Sequence, residues 1–170
     1  MLASIRLTDG TTVLVRPIAP TDKAALAEGL AGLSLASRNA RFLGPKARFT
    51  SAELRYLTEV DGHDHIALVG YLPERPREIV AVARSVRAAD DPGAAEVALV
   101  VGDCLQGRGL GRAMGRLLAD EGREHGIERV TATMHADNVR ARRLLRSMAA
   151  RLEGGRIQSG VAELTGKLAA

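Results

Sequence analysis

The chain has 170 residues, 46% of them apolar, which is enough for one packed core and too apolar for a disordered segment. No apolar run is long enough to span a bilayer, no leader pattern opens the chain, and the one cysteine, Cys104, excludes an internal disulfide, so a cytoplasmic protein with one domain over residues 1–170 and no membrane partner is expected. A formal charge of +4 suits an anionic ligand, whereas 2% aromatic content excludes stacking platforms for nucleic acid, and no nucleic-acid partner is expected.

Ser4 to Leu7 and Thr12 to Ile18 alternate in polarity around Asp9-Gly10 and predict a hairpin. Pro17 and Pro20 end its second strand, and Asp22 stands as the cap of a helix carrying Leu26, Leu30 and Leu33. Ser37 to Phe42 predicts a second short helix that stops at Gly44-Pro45. Thr50-Ser51-Ala52-Glu53 is a capping box, so a third helix is expected from Ser51 to about Val60. Asp61 to Asp64 is a turn, His65 to Tyr71 and Glu78 to Arg87 are strands, and Asp90-Asp91-Pro92-Gly93 is the next turn. Val97 to Val101 is a buried strand, and Leu110, Met114, Leu117 and Leu118 then follow at helical spacing up to Gly126, a C-terminal cap. Glu128 to His135 is a strand with Val130, Ala132 and Met134 on one face. Asp137 caps a helix with Leu144, Leu145 and Met148, and Gly154-Gly155 and Gly160 bracket a terminal strand pair, Arg151 to Gln158 and Val161 to Leu168. This order describes an α/β (α+β) chain with a mixed, mostly antiparallel central sheet flanked by helices. Exposed strand edges near the C-terminus would suit a homodimer.

The chemistry centres on Glu96 to Gly111, which reads strand, short polar turn, glycine loop, helix. A glycine loop opening a helix presents unpaired backbone N–H groups, lets a bulky anion approach closely and adds the positive end of the helix dipole. The expected ligand is a phosphate or pyrophosphate. The Rossmann fingerprint fails, because the position of its third glycine is Arg112, and no Gly-Lys-Ser/Thr of a P-loop is present. Gln106-x-x-Gly109-x-Gly111 instead resembles the Gln/Arg-x-x-Gly-x-Gly/Ala signature of the GNAT superfamily, the acyl-CoA-dependent N-acyltransferases. A strand with a glutamate at its head precedes the loop, and Asn138 opens a later helix, as in that family. The segments Asp9 to Ile18, Ser37-Arg-Asn-Ala-Arg-Phe42 and Leu57 to His63 are similar to the acetyltransferase domain of bacterial protein-lysine acetyltransferases, a group often fused to a cyclic-nucleotide-binding or acyl-CoA-synthetase-like domain. At 170 residues the chain is expected to carry neither partner.

The resemblance implies acetyl-CoA as cosubstrate, no metal, and an amine acceptor, with a protein lysine first and a small-molecule amine next. Transfer of an acyl group from a thioester to an amine needs a base for the amine, donors for the oxyanion and a fate for the thiolate. Glu96 heads an otherwise apolar strand, and the resemblance implies that it is the general base; the alternative is a solvated charge at a strand end, paired with an arginine. The family splays its strand four at a bulge, which would free main-chain groups of Leu99, Val100, Val101 and Gly102 for the acyl carbonyl and the pantetheine, with Val100 at the reacting centre. The pyrophosphate would sit on the N–H groups of Gln106, Gly107, Arg108, Gly109, Leu110 and Gly111. Arg108 and Arg112 would meet phosphate oxygens or remain solvated, and Asn138 would contact the pantetheine arm or a bound water. One departure is Leu145, where many members carry a tyrosine that protonates the thiolate. Leu145 leaves a second reading open, a non-catalytic acyl-CoA-binding module. His63 and His65 lack the further ligands a metal needs, so they line the acceptor side or end a turn, and Cys104 reads as a partly exposed thiol rather than an acyl relay.

Overall fold

The computed structural model describes residues 3–168. Eight strands make one sheet: β1 Ala3–Arg6, β2 Thr12–Pro17, β3 His65–Leu72, β4 Arg75–Arg87, β5 Ala94–Val101, β6 Arg129–His135, β7 Ala149–Gln158 and β8 Val161–Leu168. Five α-helices accompany them among the described residues: α1 Lys23–Ala31, α2 Leu35–Phe42, α3 Ser51–Thr58, α4 Leu110–Glu124 and α5 Val139–Met148. The strand order is β1-β2-β3-β4-β5-β6-β8-β7, and every neighbouring pair is antiparallel except β5 with β6.

Local chemistry accounts for most element ends. In the first hairpin Gly10 takes φ +86°, and Asp9 Oδ1 accepts the Thr11 N–H at 3.0 Å. The predicted box at α3 is formed: Glu53 N–H donates to Thr50 Oγ1 at 3.2 Å, and Thr50 N–H donates to Glu53 Oε2 at 2.8 Å. Gly126 closes α4 at φ +78°. Asp22 does precede α1, but its carboxylate does not cap that helix; it accepts the Ala19 N–H at 2.8 Å, which caps the short 3-10 turn Pro20–Asp22, and holds the Arg16 guanidinium at 2.7 and 2.8 Å. The cap of α5 is Asn138, whose Oδ1 accepts the Ala141 N–H at 3.0 Å, and not Asp137, because the helix starts one residue later than the sequence predicts. Gly154 and Gly155 lie inside β7, with a register shift against β8 beside them, rather than bracketing the strand.

The two faces of the sheet bury different partners. Leu110, Met114 and Leu118 of α4 and Leu145 and Met148 of α5 pack on Val97, Val101, Val130 and Met134. Leu26 of α1, with Leu54 and Leu57 of α3, packs on Ala67, Val69 and Ile79 of the opposite face. Pairing between β5 and β6 stops early. Only Ala94, Ala95 and Glu96 pair with Arg129, Val130 and Thr131. Beyond Glu96 the two strands diverge, while β4 stays paired to β5 as far as Val101 and β8 stays paired to β6 as far as His135. The sheet is therefore open like a V, with its closed end at Glu96. The predicted splay is present at the fifth strand of this chain, and no bulge interrupts the register of that strand on β4.

Candidate active site

The phase of the β4–β5 ladder decides which main-chain groups face the open gap. Gly102 N–H donates to Val80 O at 2.8 Å at one end of the ladder, and Ala88 N–H donates to Ala94 O at 2.9 Å at the other. In an antiparallel pair every second residue turns both its N–H and its C=O to the same neighbour. With the register unbroken between these ends, Glu96, Ala98, Val100 and Gly102 spend their main-chain groups on β4, and Val97, Leu99 and Val101 turn theirs toward β6. Thr131 meets the closed end. Leu99 and Val101 are left pointing into the gap, and Gln106 Nε2 indeed donates to Val101 O there at 3.0 Å. Val100, expected at the reacting centre, turns its N–H to β4 because no bulge shifts the phase.

The glycine loop lies at the open end of the V. Gly107 has φ +76° and Gly109 has φ +90°, conformations that favour glycine. The space beside both is open. A Cβ on Gly111 would lie 3.6 Å from Leu99 Cδ2 and 3.7 Å from Val101 Cγ2, so the first turn of α4 rests directly on β5. That turn has no side-chain cap, which leaves its N–H groups and the helix dipole aimed at the loop. Gln106 holds the loop between two helices: Nε2 donates to Ser37 Oγ at 2.9 Å, and Oε1 accepts from Arg140 at 3.1 Å. Arg108 is engaged by Asp9 of the first hairpin. Arg112 is exposed and pairs with no described residue, so of the two expected phosphate arginines it is the free one. Leu110 is buried in the core and contributes to the site through its backbone alone.

Helix α2 contacts both β5 and β6 and so roofs the gap. Asp103 anchors its start, accepting from Ser34 N–H at 2.8 Å, Ser34 Oγ at 2.8 Å and Ser37 Oγ at 2.6 Å. His135 Nε2 donates to the Asn39 carbonyl at 3.2 Å, and Asn39 Oδ1 is buried with no hydrogen-bond partner.

Glu96 sits on the α2 face at the closed end of the V and is exposed, so the apolar envelope expected around it is open. Around it stand Arg84, Tyr56 and Arg41, which the sequence does not single out, and His65, which it offers as lining the acceptor side. Arg84, on the same sheet face, is 5% exposed. It donates to Leu57 O at 2.8 Å and to His65 Nε2. Burial, followed by the Arg41 charge, brings the Arg84 guanidinium down to about 10. Burial and then the Arg84 charge hold His65 at about 4, so its ring is neutral at pH 7. Tyr56 packs its ring 4.8 Å from that of His65. Arg41, at the end of α2, lies over the Phe42 ring at 4.9 Å; burial lowers its pKa, and the charge of Glu96 opposes that shift. The only sequence signal for Arg41 was its place in the Ser37–Phe42 segment. Arg84 carried none, being one charge inside an apolar strand.

Asn138 lies at the head of α5 with one oxygen used in capping. Leu145 is 2% exposed, inside the core, and offers no proton. His63 bonds its neighbour Asp64 at 2.7 Å, and no group of residues able to hold a metal occurs among the described residues. Cys104 is exposed at the rim of a separate groove of about 810 Å³ beside α1. No helix among the described residues is long and apolar enough to cross a membrane.

Comparison with known proteins agrees with this geometry. Residues 12–151 match the family model described as Acetyltransferase (GNAT) domain. The chain is 32% identical over 144 residues to acetyltransferase Pat of Mycolicibacterium smegmatis, covering 83% of this chain and 42% of that protein. It is 31% identical over 134 residues to acetyltransferase PA5475 of Pseudomonas aeruginosa, covering 78% of this chain and 71% of the other. The crystal structure of the GNAT domain of S. lividans PAT superposes with a TM-score of 0.88 at 28% identity, covering 98% of this chain and 97% of that one. The chain thus spans less than half of the Mycolicibacterium relative.

Proposed function

The chain belongs to the GNAT acetyltransferase domain family, and from that premise we propose that residues 1–170 act as one domain that transfers the acetyl group of acetyl-CoA to a primary amine, with a protein lysine as acceptor. The observation that carries this reading is the convergence, along one strand, of a carboxylate at the closed end of the V, the main-chain groups of Leu99 and Val101 turned into the gap and a helix N-terminus at the open end. The pyrophosphate rests on the N–H groups from Gln106 to Gly111, with Arg112 adding charge. The pantetheine then runs into the gap beneath α2, where Val101 and the unpartnered Asn39 Oδ1 meet its amides.

Leu99 N–H, roughly 10 Å along the strand from Glu96, donates to the acyl oxygen and stabilises the oxyanion in place of Val100. Glu96 takes a proton from the incoming ammonium, directly or through one water, and the free amine attacks the thioester carbon. The tetrahedral intermediate gives its second amine proton to water as the C–S bond breaks, leaving the neutral amide, and the thiolate departs toward solvent. With Leu145 buried, no side chain at that position protonates it, and water or the protonated Glu96 supplies the proton.

The test is CoA release measured with a thiol reagent, with and without lysine-bearing acceptors. Wild-type protein is expected to release CoA only when an acceptor is present. Glu96→Gln should lower the rate by about 100-fold or more and keep acetyl-CoA affinity within about threefold. Tight acetyl-CoA binding with no release to any acceptor would favour the second reading, a non-catalytic acyl-CoA-binding module, for which the buried Leu145 is the supporting observation.

A further inference from the structure

Arg41 stands out among the charged groups near the candidate site. It is half-buried at the end of the helix that roofs the gap, and it makes no hydrogen bond with any described residue. A guanidinium carries five N–H donors in a planar fork matched to a carboxylate, and stripping water from it without a partner is costly. A second cation, Arg84, lies within reach of the Arg41 charge, buried and bonded to uncharged acceptors, the Leu57 carbonyl and the neutral His65 ring. Helix α2 contacts β5, and the β5 carboxylate whose charge acts on Arg41 is Glu96. Two guanidinium groups, Arg84 on the adjacent strand and Arg41 at the end of α2, therefore stand near Glu96, and that of Arg41 has a free fork.

Building on the amine-acceptor reading, we propose that Arg41 is an acceptor-binding residue, and that the preferred acceptor carries a carboxylate beside its reacting amine. Glu96 meets the ammonium, and the fork of Arg41 meets the neighbouring carboxylate. Arg84 adds positive field without touching the acceptor, because its donors are already directed to Leu57 and His65. The juxtaposed carboxylate and guanidinium are the electrostatic mirror image of an amine next to a carboxylate. Two sources share that chemistry: a peptide lysine flanked by Asp or Glu, and a free amino acid. The half-exposed surroundings, with Tyr56 57% exposed, leave room for either.

The experiment compares blocked peptides that carry one lysine flanked by glutamate, by glutamine or by arginine, with free glutamate and free lysine as separate arms. Transfer from acetyl-CoA gives kcat/KM, and fluorescence anisotropy in the presence of CoA gives peptide affinity without turnover. The glutamate-flanked peptide, or free glutamate, is expected to exceed the glutamine-flanked peptide by about tenfold or more, mainly through KM. Arg41→Gln should bring that ratio to about one, and Arg41→Glu should invert it toward the arginine-flanked peptide. Acetyl-CoA binding by each variant reports that the protein is folded. Equal use of the three peptides by wild-type protein would overturn the proposal, as would an acidic preference that survives in Arg41→Gln. An absence of turnover with every acceptor would count against the transferase reading, and the anisotropy ratios would still decide the role of Arg41.

Discussion

His65 accepts a hydrogen bond from Arg84, which only an unprotonated ring nitrogen can do. Burial and the adjacent guanidinium hold its pKa at about 4, against 6.5 for an ordinary histidine. Between those two values the unfolded chain binds this proton and the folded chain does not. Stability therefore rises with pH through that window and is lost as pH falls from 6.5 toward about 4. Thermal melts should show the midpoint dropping over this range at constant ionic strength. His65→Gln keeps an acceptor for Arg84 but removes the titration, so its midpoint should fall less steeply. An identical slope in wild-type and variant protein would rule out His65 as the source. Arg84, even at about 10, stays charged at neutral pH, so the positive field behind Glu96 persists across the range in which the reaction would be measured.

At the scale of elements, turns and caps were legible wherever one residue type satisfies a local backbone demand. Asp9-Gly10, the Thr50–Glu53 box, Gly126 and the glycines at 107 and 109 all fall where the sequence places them. Asp137 and Asn138 are adjacent and both able to cap, and composition alone does not separate them; the helix begins at Val139, which makes Asn138 the cap. Ladder phase was illegible for a deeper reason. Val97 to Val101 is apolar on both faces, so side-chain alternation carries no marker of which main-chain groups face which neighbour. Only the bonds at Gly102 and Ala88, at the two ends of the strand, set it. Arg41 was hidden likewise, because nothing in the sequence of an eight-residue helix with two arginines, Arg38 and Arg41, tells which of them stands near Glu96. The double position of Asn138, as cap and as candidate pantetheine contact, can be separated by experiment. Asn138→Ala should cost about 1 kcal/mol of stability and raise the KM for acetyl-CoA. Asn138→Ser restores the cap without the amide, so stability should return while KM stays raised. Recovery of both together would make Asn138 a structural residue only.

The whole molecule is two arms of one sheet, joined by three residue pairs at the closed end of the V, by the packed pair α4 and α5 on one face and by α2 over the gap on the other. A ligand seated in the gap substitutes for the missing β5–β6 ladder. It should therefore stabilise the fold as a strand would, by giving main-chain groups partners they lack. At a hundredfold excess over Kd, acetyl-CoA should add about 2.7 kcal/mol, which for a domain of this size is a rise in Tm of roughly 5–10 °C. Hydrogen exchange tests the same idea at single residues. Val100 N–H, directed to β4, should exchange slowly with or without ligand. Leu99 and Val101 N–H, directed into the gap, should exchange fast in the free protein and slow when acetyl-CoA is bound. If protection instead appeared at Val100 alone, β5 would have to change phase on binding, and the oxyanion donor would return to the residue its sequence position first indicated.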